Sequence, residues 1–216
     1  MRGPADLLPL IQGYRMTPLW GTTLACAWAL LALAAAPAQA TAAVIPLPAP
    51  SAGAQVQVFF SPDDGTDRAI AQAMAQARQR IWIAGYYFTS STLAKAIDQA
   101  HQRGLDVRVV LDRSQVSLRY SSATYFHNHG VPLWINARYP VMHHKFVVID
   151  QDTVGFGSMN FTRAGAQQNA ENFNLFRRWP QLAGTYAAEF QRLQKESAKY
   201  RPGMVFEAVG GAEDKP

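Results

Sequence analysis

Cysteine is almost missing from this 216-residue chain, and Cys26 is the single one. One thiol builds neither a disulfide framework nor a thiolate zinc centre, so the fold depends on burying a core. Charge is sparse too, at 16% of residues, while 15 Gly and 13 Pro are too few for a fibrous or low-complexity protein. The apolar run at residues 21–36 holds sixteen residues, short of the ~20 that span a bilayer. It follows Arg2 and Arg15 and precedes Ala38-Gln39-Ala40. That is the pattern of a secretory signal peptide over residues 1–40, with Met16 as an alternative start. The expectation is an exported protein, periplasmic or secreted, whose mature chain has no cysteine.

What the sequence does have is an apolar share of 49% and a modest excess of base, 20 Lys and Arg against 15 Asp and Glu. A net charge of +5 favours an anionic partner, nucleic acid or an acidic membrane surface, without choosing between them. Residues 41–54, rich in Ala and Pro and uncharged, read as a linker. Regular structure is expected from about residue 55. Residues 56–60 alternate as a strand, and residues 67–79 carry Ile70, Ala73, Met74 and Ala77 at helical spacing. Residues 81–88 form a continuous apolar run, the pattern of a strand buried on both faces. A helix capped by Ser90 or Ser91 and closed by Gly104 follows, then a strand at 106–112 and a short helix at 123–128. Further strands are expected at 131–135, 142–149, 154–156 and 172–176, and a final helix at 180–198. Strands alternating with helices imply one α/β domain over residues 55–200, a mixed sheet flanked by helices on both faces, with a C-terminal tail at 201–216.

The chemistry concentrates in Met142-His143-His144-Lys145-Phe146-Val147-Val148-Ile149-Asp150, followed by Gly157-Ser158-Met159-Asn160-Phe161-Thr162. Strand parity sets His143, Lys145, Val147 and Ile149 on one face and His144, Phe146, Val148 and Asp150 on the other. An imidazole and an ammonium thus project side by side, and Ser158 and Asn160 repeat that two-residue spacing with neutral donors. Four such groups suit the non-bridging oxygens of a phosphate, with Lys145 supplying charge. His143 is also a nucleophile at neutral pH, because an ordinary imidazole is then largely unprotonated.

The compound pattern H-x-K-x4-D with G-S-x-N-x-T resembles the signature of the phospholipase D superfamily. Asn169-Ala170-Glu171-Asn172 is similar to the N-x-E-N element of its small, single-motif members, and residues 55–195 resemble the small bacterial nuclease branch. The resemblance implies that His143 attacks phosphorus to form a phosphohistidine, that no metal or other cofactor is needed, and that the fold is that of the superfamily. In-line displacement also needs a proton donor opposite the nucleophile. One imidazole cannot occupy both sides, and no second H-x-K exists in the chain. A homodimer with a shared site is therefore expected, each copy contributing one His143. Glu171 is expected on the Nδ1–H of His143, fixing its tautomer. For Asp150 two roles stay open, catalytic as the motif suggests or structural as its opposite parity suggests.

Plainer roles are expected elsewhere. His144 points away from the site, Trp82 and Trp134 belong to the core, and at least two of Tyr86, Tyr87 and Phe88 do so as well. Arg108, Arg113, Arg119 and Arg138 line a groove for a polyanion or are ordinary surface residues. The favoured activity is hydrolysis of DNA, with RNA as a further substrate, since phosphate recognition is blind to sequence. Hydrolysis of phospholipid to phosphatidate uses the same chemistry and is the alternative enzyme. A module that binds nucleic acid without cutting it is the non-enzymatic one.

Overall fold

The run of apolar residues at 81–84 needs cover on both sides, and it obtains it at the centre of a sheet. The computed structural model describes residues 53–118 and 120–206. The expected leader, nearly all of the linker, Arg119 and the end of the tail lie outside the described residues. The chain order is β1 (Gln55–Ser61), α1 (Thr66–Ala75), β2 (Arg80–Gly85), α2 (Ser91–Gln102), β3 (Asp106–Asp112), α3 (Ala123–Asn128), β4 (Leu133–Asn136), β5 (Lys145–Ile149), β6 (Thr153–Gly157), α4 (Arg163–Gln167), β7 (Glu171–Arg177), α5 (Pro180–Lys195) and β8 (Ala198–Lys199). A single 3-10 turn, Arg113–Val116, follows β3.

The described strands form one mixed sheet in the order β1-β7-β6-β5-β2-β3-β4-β8. β2, β3 and β4 run parallel, and every other pairing is antiparallel. Parity divides the core as expected. Ile81, Ile83, Val109, Leu111, Val147 and Ile149 pack with Ile70, Met74, Leu93 and Ile97 of α1 and α2. On the other face, Trp82, Ala84, Val110, Phe146 and Val148 pack with Ala183, Ala187, Phe190 and Leu193 of α5. Those four α5 residues recur every three or four positions, so one stripe of the helix is buried. Trp82 and Phe190 stack at 5.3 Å between ring centroids. Trp134, expected in the core, is only half-buried. The Ser90 hydroxyl caps α2 by accepting from the Leu93 amide at 3.3 Å, and Gly104 closes the turn beyond it with φ of 80°.

Several elements, α1, β2 and β5 among them, are shorter than the periodicity predicts, and at α1 a side chain takes over the backbone groups. α1 stops at Ala75, not residue 79, since the amides of Arg78, Gln79 and Arg80 turn onto the Asp150 carboxylate at 3.1, 2.7 and 3.2 Å. The Arg80 guanidinium returns a bond to the Asp150 carbonyl at 2.8 Å. β2 ends at Gly85 and β5 begins at Lys145; the Tyr86 amide still reaches the His144 carbonyl at 3.0 Å, but the flanking chains then diverge.

Of the two roles open for Asp150, the geometry fits the structural one. Its carboxylate gathers three backbone donors at the end of β5 remote from Lys145, roughly 16 Å away at ~3.3 Å per residue. It also holds φ of 52°, a left-handed conformation that Asp tolerates better than most residues. Asp150→Ala is expected to cost about 1–3 kcal/mol in urea unfolding, for the loss of hydrogen bonds to a charged acceptor, with kcat per folded molecule unchanged. A large loss of kcat at intact stability would return Asp150 to the catalytic set.

Candidate active site

Sheet register assembles the site. Antiparallel pairing sets Lys145 at the start of β5 opposite Gly85 at the end of β2. It likewise sets the end of β6 beside the start of β5, and the start of β7 beside the end of β6. Lys145, Ser158 and Glu171, distant in sequence, therefore share one end of the sheet. Gly157 is the tightest point of that end. A Cβ there would collide with the Asn172 carbonyl oxygen and lie 2.8 Å from Phe173 Cα, so only glycine lets β6 approach β7 this closely.

His143 lies just before β5, exposed, with its ring 4.8 Å from the Tyr86 ring between centroids. Its ring makes no hydrogen bond to a described residue. Partial burial pushes its pKa below the ordinary imidazole value and the Lys145 ammonium adds to this, while Asp112 opposes both. The neutral, nucleophilic form is thereby favoured. Lys145 is only 8% exposed. Its Nζ donates to the His143 carbonyl at 2.8 Å and lies 5.4 Å from the centre of the Tyr86 ring. Burial lowers the ammonium pKa, and the Glu171 carboxylate counters that. An ammonium has three N–H donors, so a phosphate oxygen can still be met by those not spent on the carbonyl.

Ser158 Oγ donates to Glu171 Oε2 at 2.6 Å and accepts from the Asn172 amide at 3.0 Å. Glu171 Oε1 accepts from Asn169 Nδ2 at 3.1 Å. The expected bond from Glu171 to His143 is thus absent among the described residues, and its carboxylate organises Ser158 and Asn169 instead. Asn160 is half-buried, and its Oδ1, shielded from solvent, has no partner among the described residues. That oxygen is an acceptor, so it is the Nδ2 amide of Asn160 that can donate to a phosphate oxygen. Thr162 caps α4 by accepting from the Gly165 amide at 2.9 Å, which fixes the turn carrying Asn160.

Asp112 is the residue that sequence reasoning passed over. Buried at the end of β3, it accepts from the amides of Ser114 and Met142, each at 2.8 Å, and so pins the loop leading into His143. A strand-terminal Asp in an α/β sheet, where crevices form, was the available signal. Tyr86 and Tyr87 were also misplaced. Phe88 alone of the three is core, whereas the two tyrosines are half-buried, bonded to each other at 3.2 Å and turned to the site mouth. His144 pairs with Glu189 of α5 at 3.2 Å, on the opposite face from Lys145. Arg108 is spent on Asp106 at the far end of β3 and does not line a groove beside the site. His127 and His129 lie against Tyr200 and Asp98, apart from His143. Among the described residues, no three His, Cys, Asp or Glu are grouped to hold a metal ion.

Residues 70–194, more than half of the chain, match the family described as "Cardiolipin synthase, PLD-like domain". The chain belongs to the phospholipase D superfamily. This superfamily member is similar to the solved structure of Nuc, a phospholipase D family member from Salmonella typhimurium, with 33% identity and a TM-score of 0.66 over 68% of this chain and 99% of that one. It is 31% identical over 118 residues to a "Phospholipase D" of Rickettsia bellii, covering 55% of this chain and 59% of that one. It is 29% identical over 127 residues to a "Mitochondrial cardiolipin hydrolase" of Mus musculus, covering 59% and 57%. The chain spans about three fifths of the length of these curated relatives.

The charges around His143 make a signed prediction. In NMR titrations of the full chain, Lys145→Met is expected to raise the His143 pKa by removing a like charge, and Asp112→Asn to lower it by removing an opposite one. Shifts of the opposite sign would show that the ring does not sense these two groups.

Proposed function

We propose that this superfamily member hydrolyses nucleic-acid phosphodiesters as a metal-independent homodimer, through a covalent phosphohistidine. The observation that carries the proposal is the pairing of an exposed, neutral-favouring imidazole with a buried ammonium tied to its own carbonyl. In the first step His143 attacks phosphorus, a P–N bond forms, and the P–O bond to the leaving group breaks. Lys145, Ser158 and Asn160 hold the non-bridging oxygens as charge develops on them. The leaving oxygen takes its proton from the second copy's His143. In the second step that ring, now neutral, deprotonates a water that attacks phosphorus, and His143 is released.

A second copy has a surface available to it. On the edge strand β1, Val56, Val58 and Phe60 are 46%, 50% and 60% exposed. Register places Phe60 opposite Asn172 and Ser61 opposite Glu171, so this apolar stripe reaches the same end of the sheet as the site. Exposed apolar edge strands are pairing surfaces. Supporting nucleic acid over lipid is the resemblance to the small nuclease branch. No helix among the described residues is long and apolar enough to cross a membrane. Favouring the phospholipase alternative are the names of the Rickettsia and mouse relatives. Export rests on reading residues 1–40 as a leader.

The test sets plasmid DNA beside phosphatidylcholine vesicles, both in EDTA. DNA cleavage is expected to persist with chelator and to fall at least about a thousandfold in His143→Ala, as for a removed nucleophile. Phe60→Lys is expected to sediment as a monomer and lose cleavage with His143 intact. Chelator-sensitive activity, or activity kept in His143→Ala, would overturn the mechanism; turnover of vesicles alone would transfer it to lipid.

A further inference from the structure

A cavity of about 570 Å³ opens beside the site and is absent from the family motif. Tyr86 and Asp112, at the ends of β2 and β3, line it together with Arg113 of the 3-10 turn, Val141 of the loop before His143, and Met204 and Phe206 from the segment after β8. The C-terminal segment was expected to be a tail. Instead the Tyr200 amide ties it to the Leu133 carbonyl at 2.9 Å, and the Met204 amide turns back on the Arg201 carbonyl at 3.2 Å. Phe206 packs against the core from there.

Three covalent or packed links join this cavity to the reacting atoms. The Tyr86 ring packs on the His143 ring. Val141 is two residues from His143, and Asp112 bonds the amide of the residue between them. A phosphodiester carries two ester substituents, so with phosphorus at His143 one of them is within reach of the cavity. Its lining is mixed, with Val141, Met204 and Phe206 apolar and Tyr86, Arg113 and Ser117 polar. A nucleobase matches that pattern, having apolar faces and a hydrogen-bonding rim. An acyl chain does not, because it would cover polar lining side chains such as Tyr86 and Arg113 with hydrocarbon and return no hydrogen bond.

We infer that this cavity receives the nucleobase adjoining the scissile phosphate, and that Met204 and Phe206 set the preference for a base-bearing nucleotide there. The inference rests on the nucleic-acid reading above. Both side chains are positioned by the chain beyond β8, so specificity would be carried by a segment separate from the catalytic motif.

The test uses single-stranded oligonucleotides with one cleavable phosphodiester, flanked either by ordinary nucleotides or by abasic sites. The full chain is expected to favour the base-bearing substrate at least about fivefold in kcat/KM, the scale of one base stacked on a side chain. Phe206→Ala and, as a milder change, Met204→Ala are expected to erase that preference while leaving abasic cleavage within about twofold. Equal cleavage of both substrates by the unmodified chain would overturn the inference and leave the nuclease reading standing. Variants that alter only sedimentation would also overturn it, assigning the cavity to a second copy. If the unmodified chain cleaved no oligonucleotide and hydrolysed phosphatidylcholine vesicles through His143, inference and nuclease reading would fall together.

Discussion

A buried ammonium held against the carbonyl of His143 is the interaction on which this site depends. Lys145 sits where a charge is costly, and burial depresses its pKa. It is kept there by the His143 carbonyl, the Tyr86 ring and the field of Glu171. The same ammonium makes protonation of His143 less favourable. Lys145 thus favours the neutral form of the imidazole, and in the proposed mechanism it also presents charge to a phosphate. An incoming dianionic transition state would relieve the electrostatic cost that the free site carries.

The sheet divides labour between its two ends. At one, the register of β2, β5, β6 and β7 collects Lys145, Ser158 and Glu171, and Gly157 permits the close approach that seats Ser158. At the other, Asp150 ties β5 to the turn between α1 and β2. A family signature that spans both ends of one strand therefore mixes reacting groups with a fastening for the scaffold. Position on the strand, rather than membership of the motif, separates them.

Much of this was legible in the sequence where the physics is local. Alternation along residues 145–149 assigned each side chain to its face, and the apolar run at 81–88 marked a central strand, which ends at Gly85. Partners across space were not legible. Asp112 acts on Met142, thirty residues away, and nothing in a strand-ending Asp names that partner. Glu171 was expected on His143 by analogy with a carboxylate beside a catalytic imidazole, and that analogy does not see neighbouring strands; the approach of β6 put Ser158 within 2.6 Å of it. The cavity wall at Met204 and Phe206 depends on how a segment without periodicity returns to the sheet, which composition does not encode.

A chain with one H-x-K supplies one imidazole, while displacement at phosphorus followed by hydrolysis needs proton transfer on the far side. The sharpest measurement of this sharing is a co-refolding series of the intact chain with His143→Ala, scored as activity per total protein. At an equal mixture of randomly assorting copies, a site shared between two chains predicts about one quarter of full activity, since only dimers with both imidazoles turn over. A decline to about one half, proportional to the intact chain present, would mean that each copy works alone and would contradict the account.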